Sequence, residues 1–429
     1  MDNSKNYFSI DKTTLKNHFT NSFNNIAHNL LSLVKWITIS TIVGIVVSGF
    51  ATLFAYTINL ATTTRENNPW LLFFLPLGGI LIVAIYTLCG MKKDRGTNLV
   101  LSSICHDDNV PLRMAPLIFI GTAITHLFGG SAGREGAALQ IGGSIGNALA
   151  SVIKIDEYDK KVIIMCGMSA AFAAVFGTPM AAAIFSIEVI SIGVMYYAAL
   201  VPCIFSAIIA SNFASNMGIN PERFKIDALI DLNVITIAKV IVLALACALV
   251  SVIFCKLLHT MPKIYSKLFK NYYIRIIVAS ILIILINLIL QTNDYQGAGI
   301  DVIDKAMNGS AVPYAFLIKI LLTTLTIGAG FKGGEIIPSF FIGATLGCTL
   351  GNILGISPSL CAALGMIGIF CGVTNCPITS ALISFELFGY HAIFFFLIII
   401  SISYMMSGYS SLYKDQKILY GKTKAKYLN

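Results

Sequence analysis

Charge is what this sequence has least of. Asp, Glu, Lys and Arg make up 11% of 429 residues, against 56% apolar residues and a mean hydropathy of +0.81. A soluble chain of this length carries about a quarter charged residues and divides into two or three domains, so that class is excluded. Metal-ligand spacing is also missing: there is no Cys-x-x-Cys pair, the six histidines are scattered, and the ten cysteines lie almost all in apolar runs. They read as small core residues, and neither a metal nor any other cofactor is expected. The formal charge of +9 would suggest nucleic acid in a soluble protein. In a membrane chain it reports basic cytoplasmic loops and tails, so no nucleic-acid partner is expected.

What is present is apolar sequence broken at intervals. An even division gives roughly a dozen or more spans of about 20 residues and leaves no room for a sizeable soluble domain. The fold class is therefore all-α, polytopic, in a lipid bilayer. Residues 1–36 are not a signal peptide, because their charges are spread and no continuous apolar region forms. Leu15, Phe19, Phe23, Ile26 and Leu30 recur at helical spacing after a possible Asp11 cap, which predicts an amphipathic helix lying on the membrane; a helix packed on a loop fits the same pattern. Spans follow at Ile37–Ala61, Leu71–Cys89, and further segments that include 115–128, 180–213 and 391–408, with a polar loop at Thr62–Asn68. Lys92, Lys93 and Arg95 after the second span, and the basic tail at 414–429, put both termini in the cytoplasm.

Several segments are short and interrupted by glycine, the pointer to broken or re-entrant helices. Self-comparison finds a duplication. At an offset of 200, Gly130, Gly133, Glu135 and Gly143 fall on Gly330, Gly333, Glu335 and Gly343. At 198, Gly167, Met168, Phe172, Val175, Pro179, Ser186 and Glu188 fall on Gly365, Met366, Phe370, Val373, Pro377, Ser384 and Glu386. The chain thus divides into an N-terminal helix (1–36), a first membrane repeat (37–213), a second (214–413) and the tail. Two repeats with broken helices and a substrate between them are a transporter or channel plan, inverted if each half crosses an odd number of times.

Gly129-Gly130-Ser131-Ala132-Gly133-Arg134-Glu135-Gly136 opens an apolar helix on flexible glycines. The first turn of such a helix carries unpaired N–H groups and the positive end of the dipole, an anion site without a positive side chain. A carboxylate at Glu135 is able to occupy that site and to vacate it on protonation, which couples proton to anion. The second copy, Gly330-Phe331-Lys332-Gly333-Gly334-Glu335-Ile336-Ile337-Pro338, points the amides of Ile336 and Ile337 at an anion. Glu335 either has a second charged role or pairs with Lys332 or Arg134. Gly142/Gly146 and Gly343/Gly347/Gly351 read as close-packing faces, and Glu188 and Glu386 as structural groups at helix ends rather than a proton relay. Thr97, with Asn98 beside it, starts a third helix; its hydroxyl suits an anion and a cap equally.

Over about residues 37–413 these stretches resemble the CLC family of anion channels and proton-coupled anion exchangers. The resemblance implies a homodimer with one anion path per subunit, Glu135 as the gating glutamate, and a tyrosine hydroxyl on the anion from Tyr413. Within the family, the loops at 129–135 and 330–335 look like the bacterial fluoride/proton antiporter branch. Val189 stands where chloride/proton exchangers carry an internal proton-transfer glutamate, and the fluoride branch is similar in lacking it. Two positions depart from that branch: Ile337 stands where it commonly has threonine, and Thr97 is closer to the serine of the chloride branch.

The expectation is a non-enzymatic fluoride exporter of the inner membrane, coupled to proton import. Glu135 gates, Thr97, Asn98, Gly136, Ile336, Ile337 and Tyr413 bind the anion, and Arg134, Lys332 and Glu335 support them. The alternative is a chloride or nitrate channel or exchanger of the same family. A cation-coupled transporter of an organic substrate needs a larger cavity with polar side chains than these backbone-dominated loops suggest, and a scaffolding protein leaves Glu135 and Glu335 without a reason.

Overall fold

The computed structural model describes residues 12–428 except Lys93, Asp107, 228–230 and Ala425, with side chains from residue 25 onward. The Asp11 cap and the side chains of Leu15, Phe19 and Phe23 lie outside the described residues. Within them the chain forms sixteen α-helices in two sets of eight. The first set is α1 (Lys12–Asn67), α2 (Leu75–Leu88), α3 (Thr97–His106), α4 (Met114–Leu127), α5 (Glu135–Ile153), α6 (Glu157–Phe176), α7 (Pro179–Glu188) and α8 (Leu200–Asn216). The second repeats the order: α9 (Val234–Leu268), α10 (Tyr272–Leu290), α11 (Ile300–Met307), α12 (Ala315–Ala329), α13 (Ile336–Leu354), α14 (Pro358–Thr374), α15 (Pro377–Phe388) and α16 (Ile393–Met406). Each half opens on its longest helix and has short helices at its third and seventh places, so the duplication read from glycines is a duplication of architecture.

Seven described helical stretches are long and apolar enough to cross a bilayer, and six further apolar helices have only 10–17 residues. That corrects the even division into a dozen or more full spans and bears out the short, broken ones. Glycine and proline do the breaking. The apolar run 180–213 is two helices, parted by a left-handed Gly193 and the short strand β1 (Ser191–Ile192). The polar stretch Thr62–Asn68 is not a loop: α1 continues through it to Asn67 and carries Arg65 into the interior, where its Nη1 donates to the His126 carbonyl at 3.3 Å. The boundary expected at residue 36 falls inside this same uninterrupted helix, whose Ile26 and Leu30 are exposed.

Short helices in lipid need their end groups satisfied by protein. Glu188 closes α7 and accepts from the N–H groups of Ile378 (3.0 Å) and Thr379 (2.8 Å) at the start of α15. Glu386, near the end of α15, accepts from the N–H groups of Met180 and Ala181 at the start of α7, both at 2.9 Å. The two helices cap each other reciprocally, which is the structural role expected of these glutamates. The glycine stripes are close-packing faces as well. Where α5 crosses α6, a Cβ on Gly142 would lie 2.1 Å from the Gly167 carbonyl oxygen; where α13 crosses α14, one on Gly343 would lie 2.3 Å from that of Gly365.

The tail is folded against the helices. Strand β2 (Lys417–Ile418) pairs in parallel with β1, and the buried Gln416 amide donates to the carbonyls of Val189 (3.0 Å) and Thr374 (2.9 Å). Eight cysteines are buried as expected; Cys105 is half-buried, and Cys89 is exposed because α2 ends before it.

Alanine at a mid-helix glycine ordinarily stabilises by up to about 1 kcal/mol. Gly49→Ala in α1, with nothing within 4 Å of the new methyl, should follow that rule. Gly142→Ala should instead lose about 1–3 kcal/mol to overpacking. Thermal unfolding of the two purified variants in detergent checks the opposite signs.

Candidate functional site

The two glycine loops meet at the centre of the protein. The Gly133 N–H donates to the Gly334 carbonyl and the Gly334 N–H to the Gly133 carbonyl, both at 2.7 Å, an antiparallel pair of backbones. Glycine is required at this approach: a Cβ on Gly334 would lie 2.5 Å from the Gly136 nitrogen. The pair sets the starts of α5 and α13 side by side, and neither helix has a side-chain cap. Each start carries first-turn amides, that of Gly136 in one and those of Ile336 and Ile337 in the other, and the positive end of a helix dipole.

The register corrects the sequence comparison. The left-handed glycines that precede the helices are Gly129 and Gly330, α5 opens at Glu135 and α13 at Ile336. The structural offset here is one residue longer than the one that aligned identical letters. Glu135 is the first helical residue of α5, whereas Glu335 occupies the cap position of α13, the counterpart of Arg134. The two glutamates are not equivalents, and they face different surroundings.

Glu135 is fully buried. Its Oε2 accepts from the Arg134 N–H at 3.1 Å; its Oε1 has no hydrogen-bond partner and lies 3.5 Å from Arg134 Nε. The Arg134 guanidinium also donates from Nη1 to Asn59 Oδ1 at 2.8 Å and approaches Glu222 Oε1 with Nη2 at 3.5 Å. Glu335 is half-buried and forms no ion pair among the described residues. Of the two readings left open for Glu335, pairing with Lys332 or Arg134 is not found: the Lys332 ammonium is held by Asp94 at 2.9 Å above the Tyr86 ring, and Arg134 turns to Glu135, Asn59 and Glu222. The Glu335 carboxylate instead leans toward α5, with Oε2 3.2 Å from where a Cβ on Gly136 would stand.

Below this point a cavity of about 580 Å³ opens, lined by Thr97, Asn98, Gln140, Lys332, Glu335 and Tyr413. Glu135, Gly136, Ile336 and Ile337 are not among its lining residues. Thr97 begins α3 buried, its hydroxyl donating to the Gly136 carbonyl at 3.3 Å and accepting from Gln140 Nε2 at 3.1 Å. Asn98 Oδ1 accepts from the Asp415 N–H at 3.2 Å, tying the tail to the cavity wall. The buried Tyr413 hydroxyl has no hydrogen-bond partner, and its ring meets Phe185 at 6.5 Å. From Phe185 the contacts continue through Phe370 at 6.1 Å to Phe340 of α13 at 5.3 Å, a file of rings beside the helix start.

Several of these residues escaped sequence reasoning. Gln140 had a usable signal: it follows Gly136 by four positions and so shares its helix face. Asp94 stands in the basic cluster after the second span and is the partner of the half-buried Lys332. Asn59 and Glu222 carried none, because only the fold brings a helix end and an inter-repeat segment to Arg134.

This chain matches known proteins over most of its length. A family model described as voltage gated chloride channel covers residues 78–408. A chloride/fluoride channel protein of Pseudomonas syringae pv. tomato is 33% identical over 91% of this chain and 88% of its own. An H(+)/Cl(-) exchange transporter of Vibrio cholerae is 25% identical over 83% of this chain and 82% of its own. Among solved structures, a CLC-type fluoride/proton antiporter matches with a TM-score of 0.87 at 33% identity, covering 90% of this chain and 99% of that one. A slow cyanobacterial Cl-/H+ antiporter, at 18% identity and a TM-score of 0.72 over 87% and 93% of the two chains, shares the fold. The paired glycine loops, the uncapped helix starts and these matches make this protein a multi-pass membrane member of the CLC family, a family of anion channels and transporters.

Proposed function

We propose that this protein exports fluoride from the cell in exchange for protons, with Glu135 as the gating and proton-carrying group. The observation that carries the reading is a fully buried carboxylate with one unpartnered oxygen at the first turn of an uncapped helix, beside a second uncapped helix start. Carboxylate and anion compete for the same convergent amides. Protonation removes the charge of Glu135 and its claim on the site, so the anion enters as the proton is taken up. Fluoride is held by the amides near Gly136, Ile336 and Ile337 and by the Tyr413 hydroxyl. Lys332 and Asn98 hold the walls of the cavity, Arg134 steadies the carboxylate, and Glu335 is a second charged group facing the cavity.

The likeness to a fluoride/proton antiporter supports fluoride over chloride. The rival reading, a chloride or nitrate channel or exchanger, leans on Thr97 and Ile337. Its force is reduced by the Thr97 hydroxyl, whose proton is directed at the Gly136 carbonyl and so away from an anion. The protein acts as a homodimer in the inner cell membrane, with both termini in the cytoplasm and each subunit carrying its own path.

In proteoliposomes a proton gradient should drive fluoride movement, read with a fluoride electrode, and Glu135→Gln should abolish that drive. An unaltered rate in the variant sinks the reading, and equal traces with chloride or nitrate electrodes would favour the rival. Tyr413→Phe removes a buried hydroxyl with no partner, so stability should hold or rise by about 1 kcal/mol, while fluoride affinity should fall about fivefold for the lost hydrogen bond. Unchanged affinity in a calorimetric titration would remove Tyr413 from the site.

A further inference from the structure

Glu222 lies in the segment joining the two halves, after α8, outside the helices that cross the membrane. Its side chain is 30% exposed and its Oε1 stands 3.5 Å from Arg134 Nη2. The same guanidinium has its Nε 3.5 Å from Glu135 Oε1 and donates from Nη1 to Asn59. One cation therefore serves two carboxylates, one sealed in the protein and one within reach of water. Among the described residues the charged groups that act on Glu222 are Arg134 and Asp304 of α11, while Glu135 of α5 and the neutral Asn59 of α1 meet the same guanidinium. Burial pushes the Glu222 carboxyl above the usual carboxylate range, with Arg134 opposing and Asp304 adding to the rise.

An opposite charge within about 4–6 Å favours a carboxylate by one to three pKa units. Arg134 has one guanidinium to place, and a position drawn toward an ionised Glu222 is one held less closely on Glu135. Resting on the proton-coupled reading above, we propose that Glu222 is a positioning residue that sets the pH at which Glu135 vacates the anion site, by dividing Arg134 between the two carboxylates. With Glu222 ionised, Arg134 is shared, and Glu135 takes its proton at milder acidity. With Glu222 neutral, the whole guanidinium charge falls on Glu135, which stays ionised in the site until the solution is more acidic. The residue thus carries the pH of the water on its own side to a gate that water does not reach.

The test is fluoride efflux from proteoliposomes containing the full chain, recorded across pH. Glu222→Gln should move the midpoint of the profile toward acid by about one unit. Glu222→Asp, which keeps the charge but draws it back by one methylene, should move it less and in the same direction. In an Arg134→Gln background, Glu222→Gln should add no further shift. An unmoved midpoint, or a uniform fall in rate at every pH, overturns the proposal and leaves Glu222 a structural residue. Should Glu222→Gln fail to assemble, the Asp variant decides, and the absence of an acid shift there overturns it equally. If wild-type efflux ignores pH, or Glu135→Gln keeps the wild-type profile, the proton-coupled reading itself fails; a pH-dependent wild type with an unmoved Glu222→Gln defeats only this inference.

Discussion

Two backbone hydrogen bonds between Gly133 and Gly334 hold the centre of this protein together. Irregular backbone inside a membrane must satisfy its own polar groups, and this pair does so for both loops at once. It also leaves the first-turn amides of α5 and α13 unclaimed, because a loop used as a strand offers no side-chain cap. The same contact that stabilises the loops therefore sets two uncapped helix starts side by side. A side chain at Gly334 would strike the Gly136 nitrogen, and one at Gly333 would come within 2.4 Å of the Ala132 Cβ. The site cannot be kept while the glycines are changed.

The scarcity of charge makes each buried charge informative, since an unpaired one is costly. Glu188 and Glu386 spend theirs on each other's helix starts. Lys319, fully buried, is held by the carbonyls of Tyr295 (3.2 Å) and Gly297 (2.7 Å) above the Phe341 ring. Lys332 has Asp94. Against that pattern Glu135 stands out: it is sealed from water, has an oxygen without a hydrogen bond, and meets its cation only at 3.5 Å. A carboxylate in so dry a place is here held by one backbone N–H and one distant guanidinium.

Much of this was legible in the sequence because it rests on residue types with few substitutes. Glycine at spacing four, proline at helix starts and glutamate inside apolar runs revealed the duplication, the packing faces and the buried carboxylate at the start of α5. What the sequence misread follows from the same features. The offset of 200 aligns identical letters, three glycines and a glutamate, but hydrogen bonding and left-handed glycines decide the true register, and chemistry at one position is free to drift while backbone geometry is kept. The polar run at Thr62–Asn68 looked like a loop because polarity alone was visible; α1 needs Arg65 inside, beside His126, so the helix continues. Glu222 left no trace, since its meaning depends wholly on a neighbour supplied by the fold.

The one-residue difference between the halves gives the centre of the protein a direction. An exact two-fold would place two identical glutamates at two identical helix starts and make the path the same from either side. Here the first half puts its carboxylate on the helix, buried against Arg134 and Asn59, while the second puts its own at the cap, facing a cavity of about 580 Å³. Tyr413 completes the cavity side, and it is fixed from outside the repeats: Asn98 holds the Asp415 amide, Gln416 is locked between Val189 and Thr374, and β2 adds a strand to β1. The tail thus belongs to the architecture of this centre, because it helps turn a nearly symmetric pair of helix ends into one with an arginine-held carboxylate on one face and a cavity on the other.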